Sequence, residues 1–274
     1  PPWGGLRVPG GLFFSPRLAS EKSVPGVVTA TRGNHGQSVA ICASRYGIPA
    51  TVVVPRGNSV EKNAAMRALG ATIVEHGADF QEAREFAGQL AARDGLHFVP
   101  SFDRTLVAGV ATAAIELLRA VPGIDTLYVP IGLGSGICGA VAARDALGLP
   151  VEVVGVVSAH ARAYAVSFAA RRPIESPVST VLADGLACRI PDPQALEIIC
   201  RSVDRVVEVS DEEVADSIRF LFRATHNCAE GAGAAAFAAV RQEKHRLAGR
   251  KVAAMLTGAN VDADVYARLL APSP

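Results

Sequence analysis

The chain has 274 residues, half of them hydrophobic, and its 27 basic and 26 acidic side chains leave a formal net charge of +1. That length can bury a large core in one large or two modest domains. The balanced charge gives no electrostatic footprint for nucleic acid or an anionic membrane, and no uncharged apolar run of about 18 residues is present to span a bilayer.

In chain order, Gly26–Ala30 reads as a short buried strand running into the loop Thr31-Arg-Gly-Asn-His-Gly-Gln37. Ser38–Tyr46 follows as an Ala-rich helix closed by Gly47. Ala50–Val54 is a second strand, and Asn58 or Ser59 caps a helix over Val60–Leu69 that Gly70 ends. Ala71–Val74 is a third strand, Asp79–Asp94 a helix with Gly95 behind it, and His97–Val99 a short strand. Thr105–Ala120 reads as a helix and Thr126–Pro130 as a strand, after which glycines lead into a helix over Ala140–Leu147. Val151–Val157 is another strand, and Pro173–Pro193 reads as loop. Arg205–Val209 is a strand, Ser210 caps a helix with Glu213 at the capping-box position, Gly231–Glu243 is an Ala-rich helix, and Lys251–Leu256 is the last strand.

Strands that are apolar on both faces and spaced by helices indicate parallel sheets covered on both sides. The fold class is therefore α/β, in two lobes with mostly parallel sheets. A smaller lobe is placed over residues 14–120 and a larger one over residues 121–274, with the N-terminal residues assigned to pack on the larger. Ligands are expected at the carboxyl ends of the strands and in the cleft between lobes. The five cysteines are odd in number and form no C-x-x-C pair, which suits free thiols in a reducing cytosol and predicts a cytoplasmic protein.

The glycine run after Thr126–Pro130 holds Gly132, Leu133, Gly134, Ser135, Gly136 and, further on, Gly139. A strand, a Gly-rich turn and a helix N-terminus aim N–H groups and partial positive charge at one point, which suits a phosphate. The spacing is not that of a dinucleotide loop, and no Gly-Lys-Ser/Thr of a nucleotide-triphosphate loop follows. On its own the run is balanced between a phosphate site and a tight strand-to-helix turn. Two further loops follow strands: Thr31–Gln37 and Thr257-Gly-Ala-Asn-Val-Asp262. Taken singly these also have plain readings, with Thr31 and Asn34 as helix caps and Thr257 as a strand-end hydroxyl. His35 has no Cys or second His at ligand spacing, so no metal is predicted, and no nucleophile elbow supports a hydrolase.

Taken together, the motifs resemble the fold-type II pyridoxal-phosphate enzymes, specifically the serine/threonine dehydratases. The resemblance runs through Thr31–Gln37, Ile48–Pro55, Asn63–Ala71, the glycine loop, Ala183-Asp-Gly185, Ala229-Glu-Gly-Ala-Gly-Ala234 and Thr257–Asn260, in the family's order. It implies a tryptophan-synthase-β-like fold and pyridoxal 5'-phosphate as cofactor. It further implies that Gly132, Leu133, Gly134, Ser135 and Gly136 hold the cofactor phosphate and that Asn34 bonds the ring 3-hydroxyl. Thr257 would face the pyridine nitrogen, and Glu230 would lie near the ring. Thr31, Arg32, Gly33 and His35 would receive the substrate carboxylate. The implied reaction is β-elimination from a 3-hydroxy amino acid (threonine, serine or a bulkier one) to a 2-oxo acid and ammonia, in amino-acid catabolism. A homodimer, a small amino-acid substrate and no nucleic-acid or membrane partner complete the expectation. The chain ends soon after the Thr257 loop, which speaks against a regulatory domain.

One part of the pattern is missing. The family carries a lysine upstream of the asparagine loop, where it forms a Schiff base with the cofactor. Here the matching stretch is Leu6-Arg-Val-Pro-Gly-Gly-Leu12, and Arg7 stands at the lysine position. Arginine stays protonated and cannot be the amine nucleophile. Of the remaining lysines, Lys22 reads as solvated in a polar loop, Lys62 as lying on a helix surface beside Glu61, and Lys244 and Lys251 match no motif. The catalytic residue is therefore unassigned, and cofactor binding without the lysine is non-covalent. Three readings stand open: a truncated or frame-disturbed dehydratase, a pseudoenzyme that binds cofactor or amino acid, and an enzyme rescued by Lys22. Arg32 replaces a residue that in the family's racemases is a catalytic serine, so racemisation is disfavoured.

Overall fold

A computed structural model of the chain describes residues 24–271, so Arg7 and Lys22 lie outside the described residues. The contacts divide the chain into two units, the first ending at Val110 and including Asn260–Asp262, the second holding the rest. The division falls inside a helix, Arg104–Ala120, whereas the sequence places the boundary at 120/121.

The first unit alternates β1 (Val27–Ala30), α1 (Asn34–Arg45), β2 (Ala50–Val54), α2 (Val60–Ala68), β3 (Thr72–Glu75), α3 (Phe80–Asp94) and β4 (His97–Phe98). Its sheet has the order β3-β2-β1-β4, with every pair parallel and Val27 in register with Ala50 and His97. Side chains on a strand alternate between faces, and the two cores follow that alternation. Val27, Val52 and Val54 pack with Val39 and Ala43 of α1 and Met66 of α2, while Val28, Ala30 and Val53 pack with Ala83, Ala87 and Leu90 of α3. Side chains start two of the helices: Ser59 Oγ accepts the Lys62 N–H at 3.1 Å and Asp79 Oδ1 the Glu82 N–H at 2.9 Å.

After the straddling helix α4 (Arg104–Ala120), the second unit holds β5 (Thr126–Pro130), α5 (Ser135–Ala146), β6 (Glu152–Ser158), α6 (Ala163–Ala170) and α7 (Pro193–Ser202). It continues with β7 (Arg205–Val209), α8 (Asp211–Thr225), α9 (Gly231–Gln242), β8 (Val252–Ala254) and α10 (Ala263–Leu270). The sheet order is β7-β6-β5-β8, again all parallel. Tyr128, Val154, Val156 and Val209 pack with Val214 and Ile218 of α8 and the alanine face of α9. The Ser210–Glu213 capping box predicted from sequence is formed in both directions.

Two helices start earlier than the sequence indicates. α1 begins at Asn34 and not Ser38, and α5 begins at Ser135 and not Ala140, so both loops end in helical first turns. Glycine disfavours a helix by propensity, but packing overrides it here. A Cβ built at Gly36 would fall 2.4 Å from Met66 Sδ and 2.6 Å from Thr31 Cγ2, so only glycine lets α1 start this close to α2. The helices α6, α7 and α10 are additions to the predicted set. For α7 the signal was present, since Asp192 caps it and Pro193 takes the first helical position.

Candidate functional site

In the second unit, β5 ends at Pro130 and the chain turns through Gly132–Gly136 into α5. Gly134, with φ of 98°, caps α5 without a side-chain bond. Among the described residues, no backbone N–H from Gly132 to Gly136 has a hydrogen-bond partner, and the buried Ser135 Oγ has none either. A row of unpartnered amides at a helix N-terminus, with a buried hydroxyl in the same turn, fits the three acceptor oxygens of a phosphate monoester. The residues present therefore fit pyridoxal phosphate at this loop.

Three other segments gather around that loop. A Cβ at Gly132 would fall 2.5 Å from the Gly185 carbonyl, and one at Gly185 would fall 2.8 Å from Ala232 Cβ, so Ala183–Gly185 is wedged between the loop and α9. The buried Glu230 sits at the N-cap of α9, and its N–H donates to the Gly258 carbonyl at 3.1 Å. That bond fixes α9 against Thr257, which is half-buried beyond β8. The predicted cofactor residues Gly132, Leu133, Gly134, Ser135, Gly136, Glu230 and Thr257 thus belong to one cluster of segments in this unit.

Tyr164 holds the loop from beneath, and nothing in the sequence marks it. Its hydroxyl donates to the Leu133 carbonyl at 2.9 Å and accepts the Asp192 N–H at 3.1 Å. Burial raises its phenol well above the ordinary value, so it stays a neutral donor. Replacing Tyr164 with Phe leaves the buried Leu133 carbonyl without this partner, at about 1–3 kcal/mol, and frees the part-buried Asp192 N–H as well. A lowered melting temperature together with weaker cofactor affinity is expected, and a variant with both unchanged would contradict the role. Cys138, also beside the loop, is pushed up to about 12 by burial and then by the charge of Asp192, so it remains a thiol and no nucleophile.

In the first unit, Thr31, Arg32, Gly33, Asn34 and His35 follow β1 and enter α1. Thr31 Oγ1 accepts the N–H groups of Gly33 at 2.8 Å and Gly36 at 3.3 Å, so this hydroxyl acts as a cap and fixes the turn. The Gly33 amide, expected at a substrate carboxylate, is thereby turned onto Thr31. Arg32 Nε is buried and makes no hydrogen bond. Asn260, quoted in a motif but given no role by the sequence, joins this unit. Its Nδ2 donates to Asn34 Oδ1 at 2.6 Å and to Gln37 Oε1 at 3.3 Å. This bond presents the opposite edge of the planar Asn34 amide, its Nδ2, away from Asn260. Asp262 anchors the same segment by accepting from Ser59 Oγ and from the Glu61 N–H at 3.3 Å.

Lys62 corrects a sequence reading. It is only 6% exposed, not a surface side chain, because it shares its face of α2 with the core residue Met66 four positions on. That spacing was the available signal. Among the described residues no group of three or more His, Cys, Asp and Glu is arranged to hold a metal ion.

Comparison with known proteins identifies the family. The family model described as "Pyridoxal-phosphate dependent enzyme" matches residues 4–258. An L-threonine ammonia-lyase of Thermotoga maritima is 35% identical over 268 residues, covering 97% of this chain and 67% of that protein. The catabolic L-threonine dehydratase TdcB of Staphylococcus aureus is 32% identical over 249 residues, covering 89% of this chain and 72% of that protein. The chain thus spans about two thirds of the length of these curated relatives. Among solved structures, the processed form of threonine deaminase isoform 2 from Solanum lycopersicum superposes with a TM-score of 0.88 at 26% identity, covering 97% of this chain and 78% of that one. Maize serine racemase superposes with a TM-score of 0.89 at 26% identity, covering 97% and 82%. With a match across most of its length and a glycine turn shaped for a phosphate ester, the chain belongs to the fold-type II pyridoxal-phosphate-dependent enzymes, in the serine/threonine dehydratase family.

Proposed function

We propose that this protein is a pyridoxal-phosphate-dependent dehydratase of 3-hydroxy amino acids, with threonine and serine as the simplest substrates. It removes water across Cα–Cβ, and hydrolysis of the product imine yields a 2-oxo acid and ammonia. The observation that carries the reading is the row of unpartnered amides from Gly132 to Gly136 around the Ser135 hydroxyl. These amides and Ser135 hold the phosphate. Asn34, oriented by Asn260, donates to the ring 3-hydroxyl, and Glu230 lies near the ring. Thr257 faces the pyridine nitrogen, where a neutral hydroxyl leaves that nitrogen unprotonated. Thr31 shapes the turn that takes the substrate carboxylate, with His35 and the Arg32 guanidinium, and a charged donor there strengthens anion binding. When bound, the cofactor supplies an electron-withdrawing ring that acidifies the substrate Cα–H as hydroxide departs from Cβ. That brief demand on the ring suits the neutral Thr257. The working form is proposed as a cytoplasmic homodimer, and no helix among the described residues is long and apolar enough to cross a membrane.

A second reading, a pseudoenzyme that binds cofactor or amino acid non-covalently, is favoured by Arg7 at the lysine position. Equilibrium dialysis with pyridoxal phosphate, followed by assay of ammonia release from L-threonine, L-serine and 3-phenylserine, separates the two. Retention with ammonia release supports the dehydratase, and retention without release supports the binder. No retention refutes both. Ser135→Ala is expected to weaken cofactor binding about tenfold, the equivalent of one hydrogen bond to a charged oxygen. An unchanged affinity would remove Ser135 from the site.

A further inference from the structure

We propose that Lys62 is the amine that bonds the cofactor's formyl carbon in this chain. The inference rests on the cofactor reading above and supplies the residue that Arg7 leaves unassigned.

The chain has four lysines, Lys22, Lys62, Lys244 and Lys251, and Lys22 lies outside the described residues. Lys244 and Lys251 are exposed, and Lys251 Nζ donates to the Pro122 carbonyl at 2.9 Å. Lys251 also precedes β8, at the amino end of its strand, whereas the ligand loops follow the carboxyl ends. Lys62 is different in kind: it is buried, and lysine is among the side chains least often enclosed in folded proteins.

Its side chain is laid against the asparagine loop. A Cβ built at Gly33 would fall 2.5 Å from Lys62 Cδ, 3.1 Å from its Cγ and 3.3 Å from its Cβ. The stem therefore runs over Gly33, next in sequence to Asn34, and Nζ lies two bonds beyond Cδ. Chemistry then links the two residues. On the pyridoxal ring the 3-hydroxyl and the 4-formyl are neighbouring substituents, so a side chain that binds the hydroxyl brings the formyl carbon close to its own loop. An amine whose stem passes that loop is in position to reach it.

The backbone beneath Lys62 is held firmly. Ser59 Oγ accepts the Lys62 N–H at 3.1 Å and donates to Asp262, Asp262 accepts the Glu61 N–H at 3.3 Å, and Met66 is fully buried one turn later. Gly33, at φ 155° and ψ −76°, takes a conformation that only glycine adopts readily, and any side chain there would collide with the lysine stem.

The step is a condensation. The neutral Nζ adds to the formyl carbon, forming a C–N bond while the carbonyl π pair moves to oxygen. Both Nζ hydrogens leave with that oxygen as water, and a C=N bond remains. No oxidant or reductant takes part.

The test uses the whole chain incubated with pyridoxal phosphate, treated with borohydride to fix any C=N bond, digested and mapped by mass spectrometry. The expected result is one pyridoxyl label, on Lys62, retained in Lys244→Ala and Lys251→Ala and lost in Lys62→Ala. Lys62→Arg keeps a long stem but its guanidinium stays protonated and cannot condense, so it serves if the alanine variant fails to fold; it is expected to retain the cofactor without label. Label on Lys22, Lys244 or Lys251, or retained cofactor with no label in the parent chain, overturns the inference and leaves the cofactor reading standing. A parent chain that retains no cofactor overturns the reading and the inference together.

Discussion

Gly233→Ala is expected to destabilise the second unit by about 2–4 kcal/mol and to abolish cofactor retention, although alanine is the better helix former. The position is buried in the first turn of α9, so intrinsic propensity alone would forecast a gain. The added methyl would instead fall 2.2 Å from the Gly258 carbonyl oxygen and 3.1 Å from the Gly258 nitrogen. Both are backbone atoms with no rotamer to yield. The same carbonyl accepts the Glu230 N–H at 3.1 Å, so moving it breaks the bond that fixes α9 to the Thr257 segment. Overpacking costs about 1–3 kcal/mol, and the lost bond adds about 1 kcal/mol. Thermal unfolding followed by circular dichroism, with dialysis against pyridoxal phosphate, reads both effects. A variant as stable as the parent would mean that α9 does not set the position of Thr257.

The second large effect lies at the amino end of the same sheet. Arg205 of β7 bonds Glu152 of β6, Glu243 beyond α9 at 2.6 and 3.2 Å, and the Tyr128 hydroxyl at 2.9 Å, while Arg250 pairs with Glu152 at 2.8 Å. Tyr128 also donates to Glu243, and its phenol is pushed up to about 12, first by burial and then by that carboxylate. Breaking an enclosed ion pair costs about 3–5 kcal/mol. The Arg205 side chain keeps 17% of its exposure, which discounts the figure for Arg205→Met to about 2–3 kcal/mol.

The pH dependence carries a sign that separates this charge effect from lost packing. Burial raises the Glu243 carboxyl, but hydrogen bonds from Arg205 and Tyr128, with the charges of Arg205 and Arg246, outweigh it and hold the group below its ordinary 4.5. A carboxyl lowered on folding contributes stability that is present above its unfolded value and lost as pH falls through its folded one. The parent should therefore weaken only below about 4.5. In Arg205→Met the hydrogen bonds and charge of Arg205 are gone, only those of Tyr128 and Arg246 oppose burial, and the carboxylate is the form penalised, so the penalty is largest near neutrality and shrinks on acidification. Denaturant unfolding from neutral pH down to about pH 3, spanning the ordinary carboxylate range, should show the two curves converging. A constant gap would assign the loss to packing.

Much of the fold is legible in the sequence because the central strands β1, β2, β5 and β6 are apolar on both faces. β2, β5 and β7 run over the very residues that the hydrophobic runs delimit, and the Ser210–Glu213 box marks its helix unaided. The starts of α1 and α5 were not legible. Glycines that look like loop residues let the first turn of α1 approach Met66 at Gly36 and the cap of α5 approach Ala195 at Gly134, a tertiary demand that local propensity does not carry. The glycine turn, Asn34 and Thr257 could be nominated because each follows a strand. Tyr164 could not, since its two bonds reach residues 31 and 28 positions away. Lys62 reads as a surface residue beside the charged Glu61, yet its four-residue spacing from Met66 encodes the buried face.

The central claim is that the Gly132–Gly136 turn grips the phosphate of pyridoxal phosphate. A crystal structure of the chain grown with the cofactor tests it most directly. Phosphate oxygens within hydrogen-bond distance of those amides and of Ser135 Oγ are the predicted result. Density for the phosphate at any other position, or an empty turn at saturating cofactor, would contradict the account.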